Sequence, residues 1–153
     1  MKGSPIKTRS KGFTLIEILV VIGIIAILAA VVIIALNPAR QFAQARNSQR
    51  WSNVNTVLNA VGQRLADNRG NWPSTGGCAA LPTTFTIVGS GSGNFDLAAC
   101  VVPTYVSTMV TDPSNTDVSP EASTGYELQQ GTDGRITVRA PYAELSETIT
   151  VVR

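Results

Sequence analysis

The sequence contains no histidine. That removes the commonest general base, the commonest metal ligand and the usual partner of a nucleophilic serine or cysteine. Lysine is nearly as scarce: Lys2, Lys7 and Lys11 are the whole complement, all within the first eleven residues. Together with Arg9 they carry the small positive balance of +2, and the chain after residue 12 holds eight basic against ten acidic groups. A slightly acidic remainder argues against phosphate binding by net charge alone. Cysteine occurs twice, at Cys78 and Cys100. Charge is absent from Ile18 to Leu36, about 19 positions, close to the ~20 apolar residues an α-helix needs to cross a bilayer.

What is present is divided unevenly along 153 residues, enough for one compact domain plus one apolar helix. The mean hydropathy of +0.16 comes largely from residues 13 to 36, and the rest reads as an ordinary polar domain. A basic leader ahead of an apolar helix directs the leader toward the cytoplasm and the following chain outward. The cysteines then lie in an exported segment, where a Cys78–Cys100 disulfide is the expected state. An ordinary secretory signal has an apolar core of 7 to 15 residues and a small-x-small cleavage site, and this run has neither. Hydropathy alone fits an uncleaved single-span anchor.

Glu17 stands at the mouth of this run, where a carboxylate is costly unless paired. The order Lys11-Gly12-Phe13-Thr14-Leu15-Ile16-Glu17, followed at once by the aliphatic helix, resembles the class III signal of type IV pilins and type II secretion pseudopilins. The resemblance implies cleavage between Gly12 and Phe13 by a prepilin peptidase, N-methylation of Phe13, and an assembly role for Glu17 as fifth residue of the mature chain. Cleavage would create an α-amine on Phe13 that Glu17 of a neighbouring subunit can neutralise. At ~4 Å and an effective dielectric near 20 the attraction is roughly 4 kcal/mol before desolvation, so the pair sets register more than it adds stability. The bland alternative is a carboxylate snorkelling at the membrane edge.

Beyond Asn37-Pro38, Phe42, Ala45, Val54, Val57, Leu58, Val61 and Leu65 recur at spacings near three and four, predicting an amphipathic continuation with a kink near Pro38. The helix would run from Phe13 to about Asp67, roughly 80 Å at 1.5 Å per residue. Trp51 fits either the core contact or an exposed subunit contact, with core packing the expectation. Asn68 to Pro73 supplies the terminators, and that segment, Pro103 to Pro113 and Gly125-Tyr-Glu-Leu resemble pseudopilin patterns. Thr83 to Val88 reads as extended, Gly89 to Gly93 as a flexible turn without a phosphate-binding fingerprint, and Asp96 to Val110 as a short helix or irregular crossover. Strands are expected at Tyr126–Gln130, Arg135–Ala140 and Glu147–Val152 from their alternation, the first two joined by the turn Gly131–Gly134.

The resulting expectation is an α+β protein: a long N-terminal helix, membrane-spanning in its first half and amphipathic in its second, packed on a small antiparallel sheet. Its parts are a leader at 1–12, an assembly helix at 13–36, its continuation at 37–69 and an extracytoplasmic domain at 70–153. Asp112, Asp117 and Glu121 lie where some pseudopilins hold calcium; three oxygen donors fit Ca²⁺ or a solvated loop equally, and no other cofactor is expected.

The pilin resemblance implies a structural subunit, not an enzyme, polymerising through its helix into a type IV pilus or a type II secretion pseudopilus. It further implies other copies of itself, a prepilin peptidase, an inner-membrane assembly platform and an assembly ATPase as partners. The precursor would sit in the inner membrane with its outer domain extracytoplasmic. The alternative is a DNA-uptake or adhesive minor pilin, for which Arg135 and Arg139, at i and i+4 on one strand, and Arg153 would form the binding face.

Overall fold

The computed structural model describes residues 12–115, 119 and 121–153. The chain divides into two compact units, one ending at Ala39 and one covering Arg40–Arg153. The first contains α1, Leu15–Leu36, a 22-residue helix with no side chain buried. Asn37 follows at φ 42°, ψ 77°, and α2, Pro38–Asp67, begins at the next residue. The kinked single helix of the sequence reading is thus interrupted by one residue. Proline disfavours the helical region for the residue before it, asparagine tolerates the left-handed region, and proline at a first helical position gives up no hydrogen bond.

The second unit is built on α2. Its C-terminus is closed by Arg69 and Gly70, both at positive φ, with the Gly70 N–H donating back to the Leu65 carbonyl at 2.8 Å. A four-stranded antiparallel sheet follows in chain order: β1 (Thr86–Ile87), β2 (Glu127–Gln130), β3 (Ile136–Ala140) and β4 (Ile149–Val152). Val138 of β3 stands opposite both Leu128 and Val151. On β3 the expected alternation holds, with Ile136, Val138 and Ala140 buried and Thr137 and Arg139 half-buried. These side chains join Val54, Val57, Leu58 and Val61 of α2 in one core that also takes in Leu97 and Val101, the latter on α3 (Ala98–Val101). The α+β layout is the expected one, an apolar sheet face laid over a helical stripe.

One expectation of the loops is overturned. The glycine-rich stretch at residues 89–93 is pinned, not free: the N–H groups of Ser90 and Gly91 donate to the carbonyls of Glu121 and Ala122 at 3.0 and 2.9 Å. A Cβ on Gly89 would lie 2.3 Å from the Ala122 carbonyl oxygen, so the approach of the two backbones requires glycine there.

Candidate functional site

At the signal junction Gly12 and Phe13 precede the helix, exposed, and Lys11 lies outside the described residues. Thr14 is the N-cap of α1, extended at φ −82°, ψ 150°. Its hydroxyl accepts from the Glu17 N–H at 3.3 Å, while the Glu17 carboxylate accepts from the Thr14 N–H at 3.4 Å. This is a capping box, satisfying two of the donors that a helix start leaves unpaired. The sequence reading gave Glu17 a charge to neutralise and missed this second role, although Thr14-x-x-Glu17 ahead of an apolar run is its signature. The helix beyond is apolar on every side, and none of its residues is buried. At about 1.5 Å per residue it is roughly 33 Å long, enough by length and composition to cross a bilayer.

In the second unit the residues singled out from sequence are placed differently. Phe42 is 64% exposed and Ala45 is exposed; the buried face of α2 begins instead with Ala43, Asn47 and Arg50. These continue in helical spacing into Val54, Val57 and Val61, so the stripe is longer than its apolar part. Arg50 is wholly buried. It donates to both oxygens of Asp112, at 2.7 and 3.0 Å, and to Glu144, Asn47 and Ser114. Arg46 pairs with Glu144 through two bonds of 2.6 Å. Asn47 donates to the Glu144 carbonyl and the Glu147 carboxylate and accepts the Glu144 N–H. Asn53 donates to the Tyr126 hydroxyl at 2.8 Å and to the Thr111 carbonyl at 3.0 Å. A polar seam thus ties α2 to the segments around residues 112 and 144.

The seam fixes protonation states. Burial pushes the Asp112 carboxyl up, but the bonds from Arg50 and Ser114 outweigh it and hold it below the ordinary carboxylate range. Arg46 first and then Arg50 pull Glu144 down to about 2. Burial pushes the Tyr126 hydroxyl up to about 12. Asp112, weighed from sequence as a calcium ligand or part of a solvated loop, has both oxygens taken by Arg50 and Ser114. Asp117 lies outside the described residues, and Glu121 contributes its backbone carbonyl to the pinned loop. Among the described residues no group of three acidic or cysteine side chains is gathered that could hold a metal.

Trp51 is not in the core: it is 37% exposed, and its indole N–H donates to Glu147 at 2.8 Å. The three arginines of the alternative reading are separately engaged. Arg139 pairs with Glu127 at 2.5 Å and stacks 3.7 Å from the Phe85 ring centre, Arg135 lies 3.7 Å from Asp133, and Arg153 donates to Asn59 and Asn55 of α2. Cys78 and Cys100 form a disulfide. Arg64 secures it to the end of α2, donating to the Cys100 and Pro73 carbonyls and lying 5.0 Å from the Trp72 ring centre.

Comparison with known proteins agrees with the signal segment. The family described as the prokaryotic N-terminal methylation motif matches residues 7–33. Fimbrial proteins of Neisseria meningitidis serogroup B and of serogroup A are each 39% identical over 87 residues, covering 54% of this chain and 46% of theirs. The match spans about half the length of these relatives. No solved structure matches the chain. The chain thus carries the prokaryotic N-terminal methylation motif ahead of an α+β unit, a pilin-like layout.

Proposed function

We propose that the chain is a filament subunit. A prepilin peptidase cuts the precursor between Gly12 and Phe13 and the new N-terminus is methylated. The mature chain polymerises through α1, drawn from the inner membrane by an assembly platform and its ATPase, with the outer unit on the extracytoplasmic side. The observation that carries this reading is α1 itself: a helix apolar all round, with none of its residues buried, needs lipid or other helices around it. A lone carboxylate at its head fits a design in which lipid is exchanged for neighbours, because the α-amine of Phe13 gives Glu17 a partner in either setting. The fimbrial relatives favour a pilus over a secretion pseudopilus. The chemistry of processing and extrusion belongs to the partners, and this chain acts as a structural protein.

The test is the intact mass and N-terminal sequence of the chain co-expressed with a prepilin peptidase, beside a Gly12→Ala control. The expected product begins at Phe13, carries one added methyl group, and is missing from the control. A wild-type chain that still begins at Met1 would leave a membrane-anchored outer domain and overturn the reading.

A further inference from the structure

Two neighbouring residues of the outer unit hold backbone conformations that side chains avoid: Leu145 at φ 58° and Ser146 at φ 57°. Leucine in the left-handed region is sterically disfavoured, and such strain persists only where the surroundings impose it. Here they do so from both sides. Glu144 is held by Arg46, Arg50 and Asn47, and Glu147 by Asn47 and Trp51. The strained pair between them presents Leu145, half-exposed, as an apolar knob beside a carboxylate.

Further along α2 lies a groove of about 390 Å³, lined by Leu58, Val61, Gly62, Leu65 and Ile136 and flanked by Arg153. From Asn47, under the knob, to Gly62, in the groove, α2 advances about 22 Å at 1.5 Å per residue. Glu147 bonds to neutral donors and Arg153 to neutral acceptors, and no ion pair among the described residues includes either. An apolar knob with an unmatched negative charge and an apolar groove with an unmatched positive one therefore stand at different levels of one domain.

We infer that the groove receives the Leu145 knob of a second copy, with Glu147 of that copy meeting Arg153 at the rim. This deepens the filament reading and rests on it: knob into groove is a head-to-tail contact, and such a contact extends into an open filament when its rotation does not close. The rim charges fix which way round the copies dock.

Cysteine cross-linking in the full chain tests the contact. The native cysteines are consumed in their own disulfide, and because Asn47, which bonds the Glu144 backbone, stands about 22 Å along α2 from Gly62, Leu145→Cys and Gly62→Cys lie out of bridging reach within one copy. Each single variant should remain unlinked, an equal mixture of the two should give dimers, and the double variant should give a ladder of multimers. Leu145→Asn supplies a second arm, because asparagine suits the left-handed region and the domain keeps its fold. Filament yield should fall about tenfold or more with the unfolding midpoint unchanged or raised. A double variant that forms filaments without a ladder, a Leu145→Cys chain that dimerises alone, or undiminished filaments from Leu145→Asn would each overturn the contact. A wild type that forms no filaments would overturn the filament reading instead; the ladder is then scored between copies in the membrane, its presence supporting the contact and its absence removing it.

Discussion

Arg50 of α2 and Asp112, sixty-two residues further along the chain, meet through two hydrogen bonds at a point where neither is exposed to solvent. Removing one partner of such a pair leaves a buried charge without compensation. Arg50→Ala should therefore destabilise the outer unit by about 3–5 kcal/mol. Urea unfolding of the full chain in detergent, followed by the fluorescence of Trp51 and Trp72, measures this. A loss under about 1 kcal/mol would mean that the seam is not structural.

The same seam makes the fold acid-sensitive. Asp112 and Glu144 both have folded values below the ordinary carboxylate range, Glu144 at about 2. Groups with a depressed folded pKa contribute stability above their unfolded value, near 4, and lose it as pH falls through the folded value. The unfolding midpoint should be flat from pH 7 to about 5 and drop between about pH 4 and 2. Glu144→Gln should flatten part of that drop. A midpoint that rises on acidification would reverse the assignment.

One substitution separates the capping role of Glu17 from its proposed role in assembly. Glutamine at the third helical position still completes a capping box, so Glu17→Gln should keep the helix start while removing the charge. If assembly uses the charge, filaments disappear in Glu17→Gln while α1 inserts normally. Thr14→Ala removes the hydroxyl of the cap instead, a loss of about 1 kcal/mol at the helix end, with assembly retained. Electron microscopy of both variants, with membrane fractionation, distinguishes the two. Equal filament yields from Glu17→Gln and wild type would leave Glu17 only its capping role.

Gly125 connects the seam to the sheet. It sits at φ 80°, and a Cβ there would come within 2.8 Å of the Asp112 Cβ. Gly125→Ala combines a strained backbone with displacement of a buried carboxylate and should cost about 1–3 kcal/mol. Combining it with Arg50→Ala should cost less than the sum of the two, because both act on Asp112. Full additivity would place Gly125 outside the seam.

The signal segment was legible because its residues are contiguous, and the strands because alternation with a period of two survives in Ile136, Val138 and Ala140. The seam was not legible. Counting apolar residues at helical spacing carries the stripe of α2 from Val54 back to Ala45 and Phe42, off the buried face, and Arg50 and Asn53 then read as polar residues between. The available signal was positional: residues 43, 47, 50, 54, 57 and 61 keep one spacing of three and four whatever their polarity. Sequence gave no way to see which acids would reach Arg50, because Asp112 and Glu144 arrive from loops 62 and 94 residues away. Spacing alone does not place Trp51: a large aromatic within an amphipathic helix is ordinarily core, whereas here the exposed reading holds and it caps the edge through Glu147.

The distance of those partners along the chain also sets an order of events. Synthesis runs from the N-terminus, so α2 is complete before Glu144 and Glu147 exist, and Asn47 on its inner face waits nearly a hundred residues for them. A face made wholly of leucine and valine would be sticky during that wait. With Asn47, Arg50 and Asn53 occupying a third of it, water can serve as a temporary partner until the last hairpin arrives, and the newborn helix carries its own protection against premature clumping.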